Sequence, residues 1–222
     1  METHQRDFIS FLLQEGAVKF GEFILKSGRQ APYFINTGCF DSGRSISELG
    51  KFYASHIMSL PVKPNVIFGP AYKGVPLAVA TSIALQLNYG FECRYSFDRK
   101  EIKDHGDTGR IVGYPPKRGD KVLIVEDVVT AGTTLKEIVP FLRSLSGVEI
   151  VGVVVSVDRK EKGSGTASAV DEVSSQLGVT VYPIVTIHDI LSFISAPNSS
   201  GVTITEELKH QFQQYLSQYG AP

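Results

Sequence analysis

Lys121-Val-Leu-Ile-Val-Glu-Asp-Val-Val-Thr-Ala-Gly-Thr-Thr134 is the stretch that decides how this chain is read. Val122 to Val125 is a short, mostly β-branched apolar run, the pattern of a strand buried on both faces of a parallel sheet. Two acids, Glu126 and Asp127, follow it. Thr130-Ala-Gly-Thr-Thr134 is small and hydroxyl-rich. It opens an amphipathic stretch with Leu135, Ile138, Val139, Leu142 and Leu145 at helical spacing. A loop between a strand and a helix start aims backbone N–H groups at open space. The helix dipole adds partial positive charge there, so the spot suits a phosphate. Gly132 lets the backbone come close, and the threonine hydroxyls add donors. The acids cannot hold a phosphate, but they can accept hydrogen bonds from sugar hydroxyls or sit near a metal. Together these groups describe a ribose-phosphate site.

Composition narrows the class. The chain has 222 residues, a net charge of −1 and 42 % hydrophobic residues, enough for one α/β domain with a sizeable core. Near-neutral balance argues against nucleic acid as the main partner. The apolar runs fall far short of a membrane span. The N-terminus, Met-Glu-Thr-His-Gln-Arg-Asp, is too polar and acidic for a signal or transit peptide. Cys39 and Cys93 have neither metal spacing nor the numbers for a disulfide framework. They read as reduced thiols, which places the chain in the cytoplasm.

Along the chain, residues 7–14 read as a helix. Residues 17–40 read as short β pieces of a small antiparallel lobe, Glu22–Leu25 and Pro32–Ile35. Residues 44–60 read as a helix with Leu49, Phe52, Tyr53 and Ile57 on one face. Three βα units follow, the pattern of a doubly wound parallel sheet. The strands along this part of the chain are Val66–Phe68, Phe91–Phe97, Val122–Val125, Ile150–Val157 and Val179–Ile187, interrupted by a polar stretch at 99–114. Pro140 within helix 133–145 predicts a kink or a first turn. Thr203 and Glu206 have capping-box spacing before a last helix striped by Ile204, Leu208, Phe212, Tyr215 and Tyr219. Ligands of open α/β sheets bind at the C-terminal strand ends, so the turns after 66–68, 122–125 and 150–157 share one crevice.

Each of those turns carries a candidate group. Gly69-Pro-Ala-Tyr-Lys-Gly74 is a tight glycine-bounded turn with Lys73 inside it, suited to diphosphate. Arg99-Lys-Glu-Ile-Lys-Asp-His-Gly-Asp-Thr-Gly109 holds three cations and a histidine, with glycines that suit a lid ordering on an anion. A charge run can also be plain solvated surface. Val157-Asp-Arg159 closes a strand with a guanidinium able to grip a carboxylate bidentately, or with a structural ion pair. Three patterns fail. Gly38 to Ser45 copies a Walker A loop except that Arg44 replaces the lysine. Gly163-Ser-Gly165 lacks the third glycine of a dinucleotide fingerprint. The five histidines are scattered, and His56, among apolar residues, reads as structural.

The 121–134 stretch resembles the 5-phosphoribosyl-1-diphosphate (PRPP) motif of type I phosphoribosyltransferases, with Glu126 where Asp is commoner. Arg99-Lys-x-x-Lys-x-His-Gly106 sharpens the resemblance to the orotate phosphoribosyltransferase family, as do Phe23 to Gly28 and Ser27 to Asn36. The resemblance covers about 17–190. It implies the type I phosphoribosyltransferase fold: α/β, a central parallel sheet flanked by helices, and a small N-terminal hood. A single domain then spans 1–222, with hood about 1–40, core about 41–195 and C-terminal helix about 203–219.

It implies that Lys26, Tyr72, Lys73, Arg99, Lys100, Lys103 and His105 grip PRPP together with Glu126, Asp127, Val128, Val129, Thr130, Ala131, Gly132, Thr133 and Thr134. Of these, Lys26, Lys73, Arg99, Lys100, Lys103, His105 and Asp127 are the catalytic set. Lys26, Phe34, Ile35, Thr130 and Arg159 hold orotate, Arg159 through the base's carboxylate. Mg²⁺ is carried mainly by PRPP, with no direct protein ligand. The partners implied are PRPP, orotate and a second copy of the chain. Loop 99–109 reaches across that homodimer interface. The reaction implied is orotate plus PRPP giving orotidine 5′-monophosphate and diphosphate, a step of pyrimidine biosynthesis. Adenine, uracil or hypoxanthine as the base, a PRPP-sensing regulator, and a structural homologue in a synthetase assembly are the alternatives. Arg159 and Lys26, left unpaired by a neutral base, argue against the first, and the cationic loop argues against the second.

Overall fold

The computed structural model describes residues 1–25, 28–100, 109–196 and 205–221. Helix α1 (Thr3–Gln14) starts ahead of the expected residue 7, at a capping box of Glu2 and Gln5. It buries Phe8, Ile9, Phe11 and Leu12. β1 (Val18–Ile24) and β2 (Gln30–Ile35) pair antiparallel, Val18 opposite Ile35 and Lys19 opposite Phe34. This is the small lobe expected over 17–40. α1 does not belong to it, because its apolar stripe packs into the main core.

α2 (Gly43–Ser59) is N-capped by Ser42, which accepts the Ser45 N–H. The Walker-like glycines and serines are thus used as a helix start, and Arg44 pairs with Glu15 at 2.7 Å. The remaining elements are β3 (Val66–Gly69), α3 (Gly74–Tyr89), β4 (Arg94–Asp98), β5 (Ile111–Gly113), β6 (Lys121–Val128), α4 (Thr133–Ser144), β7 (Glu149–Asp158), α5 (Ala169–Leu177), β8 (Val181–Thr186), α6 (Ile187–Ser195) and α7 (Glu206–Tyr219). The main sheet has the order β5-β4-β3-β6-β7-β8, with all pairs parallel except β4–β5. β5 falls in the stretch read as merely polar, since three residues are too few to show an alternation. β6 runs three residues beyond the expected Val125, so both acids lie within the strand. Pro140 lies inside α4, past its first turn and exposed to water.

Strand alternation divides the core in two. Ile67, Leu123, Val125, Val154 and Val157 face α1, α2, α3, α6 and α7. Val66, Phe68, Val122, Ile124, Val153 and Val155 face α4 and α5. Both faces of β3 and β6 are therefore dry, as their unbroken apolar runs require. His56 is buried in α2; burial first, and His4 beside it, lower its pKa to about 4, so it stays neutral there.

α7 packs on the hood sheet. Phe212 stacks on Tyr33 at 5.4 Å and meets Phe20 edge-on at 5.9 Å, while Tyr215 meets Tyr33 edge-on at 5.9 Å. Its N-cap is Thr205, which accepts the Leu208 N–H, rather than Thr203. Thr203, Ile204 and residues 197–201 of the linker lie outside the described residues. Phe212 is 2 % exposed. Phe212→Ala is expected to lower the unfolding free energy by about 3–5 kcal/mol in a urea titration. A loss under about 1 kcal/mol would show that α7 lies outside the cooperative unit.

Candidate active site

Three strand ends meet where β3, β6 and β7 lie side by side. β3 closes at Gly69, and α3 opens at Gly74. The two glycines are in backbone contact: a Cβ on Gly69 would lie 1.9 Å from the Gly74 carbonyl oxygen. That contact folds Pro70–Lys73 into the tight turn expected for diphosphate. The Ala71–Tyr72 peptide is cis. Lys73 sits at the N-cap of α3 and reaches back to Asp127, Nζ to Oδ2 2.8 Å. The hood joins them through Thr37, whose hydroxyl donates to the same Oδ2 at 2.5 Å and lies 3.2 Å from the Lys73 amine. The Val128 N–H fills Oδ1 at 2.8 Å.

The two acids differ electrically. Asp127 is half-buried; burial alone would raise its pKa, but hydrogen bonds from Lys73, Thr37, Glu126 and the Val128 N–H outweigh that and hold it below the usual carboxylate range. Glu126 is buried in the strand, and burial pushes its carboxyl up to about 8, helped by the Asp127 charge. The pair therefore carries one negative charge at neutral pH rather than two. Behind it, Tyr53 donates to the Glu126 carbonyl at 2.7 Å, and the Ser156 hydroxyl donates to the Asp127 carbonyl.

After β6 the chain makes the predicted loop. Val129 is buried, while Thr130, Ala131 and Thr133 are exposed and Thr134 is half-exposed. Gly132 is the N-cap of α4 in the left-handed conformation, φ 68°, and a Cβ there would meet Val173 Cγ2 at 2.2 Å. Among the described residues, the backbone N–H groups of Thr130, Ala131 and Gly132 donate to no protein acceptor. Free amides at the positive end of a helix form an anion cradle.

β4 ends beside β3, so the cationic loop leaves next to the Pro70–Lys73 turn. The Arg99 N–H donates to the Arg110 carbonyl at 2.8 Å and closes the loop's neck. Arg99 and Lys100 line a cleft of about 520 Å³ with Ala71, Tyr72, Val75 and Asp98. Asp98 is buried and binds both walls: it accepts the Ala71 N–H at 2.7 Å and lies 3.7 Å from Arg110. Lys103 and His105 lie outside the described residues, as does Lys26.

Phe34 and Ile35, expected to wall the base, are neighbours on β2 and so face opposite ways. Phe34 is exposed and stacks on Phe23 at 5.6 Å, while Ile35 packs against the core. Arg159 follows β7 beside the phosphate loop, since Val157 pairs with Val128. Its guanidinium already holds a carboxylate: Nη2 and Nε reach Glu161 Oε1 at 2.8 and 3.1 Å. A neutral base would therefore not leave Arg159 unpaired, and that argument against other bases falls. Sequence reasoning missed Thr37, Asp98 and Glu161. Only the Asp-Arg pairs at 98–99 and 158–159 hinted at any of them.

Among the described residues no helix is long and apolar enough to cross a membrane, and no cluster of three or more His, Cys, Asp or Glu side chains forms a metal cage. Residues 40–184 match the family described as the phosphoribosyl transferase domain. An orotate phosphoribosyltransferase of Clostridium beijerinckii is 44 % identical over 223 residues, all of both chains. One of Bifidobacterium adolescentis is 48 % identical, with 96 % of each chain covered. A crystal structure of the Francisella tularensis orotate phosphoribosyltransferase superposes with a TM-score of 0.84 at 38 % identity, over 97 % of this chain and 100 % of that one. With the glycine-bounded Pro70–Lys73 turn, the Lys73–Asp127–Thr37 node and the amide cradle on one sheet edge, this chain belongs to the orotate phosphoribosyltransferase family.

Proposed function

We propose that this crevice transfers the 5-phosphoribosyl group of PRPP to orotate, giving orotidine 5′-monophosphate and diphosphate, with the following division of roles. The 5′-phosphate sits on the amides and hydroxyls of Thr130 to Thr134. Asp127 and Glu126 hold the ribose hydroxyls. Lys73, Tyr72 and the Gly69–Gly74 turn take the diphosphate. The observation that carries this reading is the node of Lys73, Asp127 and Thr37 beside an amide cradle with unclaimed donors.

The reacting carbon passes through an oxocarbenium-like state and needs no side-chain nucleophile. Catalysis is then positioning and electrostatics. A single charge on the acid pair supports the developing cation without repelling a strongly anionic substrate. Arg99, Lys100, Lys103, His105 and Lys26 neutralise the departing diphosphate, and closure of their loop keeps out water that would hydrolyse PRPP. The oxygen-only donors of ribose and diphosphate, backed by Asp127, suit Mg²⁺, which when bound would neutralise leaving-group charge. Phe34 and Arg159 line the base.

The working unit is a homodimer in the cytoplasm. Ile83 and Leu87 are exposed along α3 and line an apolar groove of about 450 Å³ with Ile46 and Val79, a surface that a second copy would cover. Both cysteines are free.

Diphosphate release with PRPP, Mg²⁺ and each base in turn tests the substrate: turnover is expected with orotate and not with uracil, adenine or hypoxanthine. Turnover with another base would overturn the base pocket. Lys103→Ala is expected to lower kcat far more than it weakens PRPP binding. Mixed with Asp127→Asn, it should recover activity in hybrid dimers; no recovery, with hybrids shown to form, would mean that each subunit uses its own loop. Glu126 also sets a pH dependence. Its folded pKa, about 8, lies above its ordinary value of 4.5. The stability its neutral form contributes is full below about pH 4.5 and is lost as pH rises through about 8. Glu126→Gln should flatten the fall of Tm across that window, and an unchanged slope would assign the titration elsewhere.

A further inference from the structure

We propose that Glu161 is a positioning residue for Arg159, and that it makes the C-terminal helix part of the subsite for the base's carboxylate. This rests on the reading of Arg159 as the residue that meets that carboxylate.

One oxygen, Glu161 Oε1, collects the hydrogen bonds of three residues from three parts of the chain. Tyr33 of the hood donates at 2.6 Å and Tyr215 of α7 at 2.8 Å. Arg159 donates from Nη2 at 2.8 Å and from Nε at 3.1 Å. The other oxygen lies 3.7 Å from Arg29. The glutamate side chain is 12 % exposed and the Arg159 side chain 15 %. Burial, first among the causes, raises the pKa of both phenols, so they stay neutral and act as donors.

This arrangement fixes the guanidinium in two ways. Its Nε–Nη2 edge is turned to Glu161, and its plane lies over the Tyr33 ring, 5.0 Å from the centroid. Among the described residues Nη1 has no hydrogen-bond partner, so a planar carboxylate can take the free edge. Charge points the same way. Arg29 and Arg159 bring two positive charges to one carboxylate, and a second carboxylate, carried by the ligand, completes the balance.

The backbone shows that the helix is tied to this point. Lys160 takes the left-handed conformation, φ 49°, with its N–H held by Asp158 Oδ1 at 2.8 Å. Glu161 then forms an antiparallel bridge with Gly220. The Lys162 N–H donates to the Tyr219 carbonyl at 2.8 Å, and the Ala221 N–H donates to the Lys160 carbonyl at 2.8 Å. The end of α7 is stitched to the three residues after Arg159, and Tyr215 reaches from the same helix to Glu161. Arg29 lies over the ring of Tyr219, 4.9 Å from its centroid.

The test is steady-state kinetics on Glu161→Gln, which keeps an acceptor oxygen for the two tyrosines and removes the charge that orients Arg159. KM for orotate should rise about tenfold, with kcat and KM for PRPP within about twofold. Tyr215→Phe should move KM for orotate the same way by about threefold, and it carries the test alone if Glu161→Gln does not fold. Arg159→Gln is the control. If it raises KM for orotate while Glu161→Gln does not, the positioning role is overturned and the Arg159 reading stands. If Arg159→Gln leaves KM for orotate unchanged, both fall. A lower KM for orotate in Glu161→Gln would make Glu161 a competitor of the substrate and overturn the proposal.

Discussion

β6 has no wet face, and the site follows from that. Val122 to Val125 are fully buried, two side chains toward each helical layer. A strand in that position can carry polar chemistry only at its end, where the helices no longer cover it. Glu126 and Asp127 stand at that edge, both largely buried, with Asp127 opening to the crevice. Burial raises both carboxyls, and the hydrogen bonds that Asp127 alone receives from Lys73, Thr37 and the Val128 N–H separate a carboxylate held charged from a carboxyl that keeps its proton. The parallel neighbours β3 and β7 end at the same level, so their turns face the same space.

Besides its apolar packing on the core, the hood makes side-chain hydrogen bonds that fall at the crevice. Thr37 carries the hood to Asp127, and Tyr33 carries it to Arg159 and Glu161. The same small sheet is covered behind by α7 through Phe212. The aromatic cluster that seats α7 thus also fixes the partners of the Arg159 guanidinium. At the Pro70–Lys73 turn Asp98 does similar work: one buried carboxylate holds the Ala71 N–H and faces Arg110 at the neck of the cationic loop.

Much of this was legible in the chain. Unbroken apolar runs identified β3, β6 and β7 because a doubly covered strand has no polar alternation to hide. The 130–134 loop was legible because a left-handed glycine and small hydroxyl residues at a helix start have a local cause. The pairing of Lys73 with Asp127 was not, since 54 positions separate the two and only sheet order brings them together. β5 was too short to give a period. α1 was assigned to the hood by its position in the chain, though its stripe of Phe8, Phe11 and Leu12 is satisfied by the main core.

The sequence by itself determined the α/β class and the strand–loop–helix at 121–134, because each depends on contacts within a few positions. Tertiary structure decided which acid keeps its proton, which face of β2 meets solvent at Phe34, and that Glu161 holds Arg159 with help from the last helix. Those depend on burial and on partners up to 128 positions away, as between Tyr33 and Glu161. No local pattern of residues encodes a dielectric boundary or a distant neighbour.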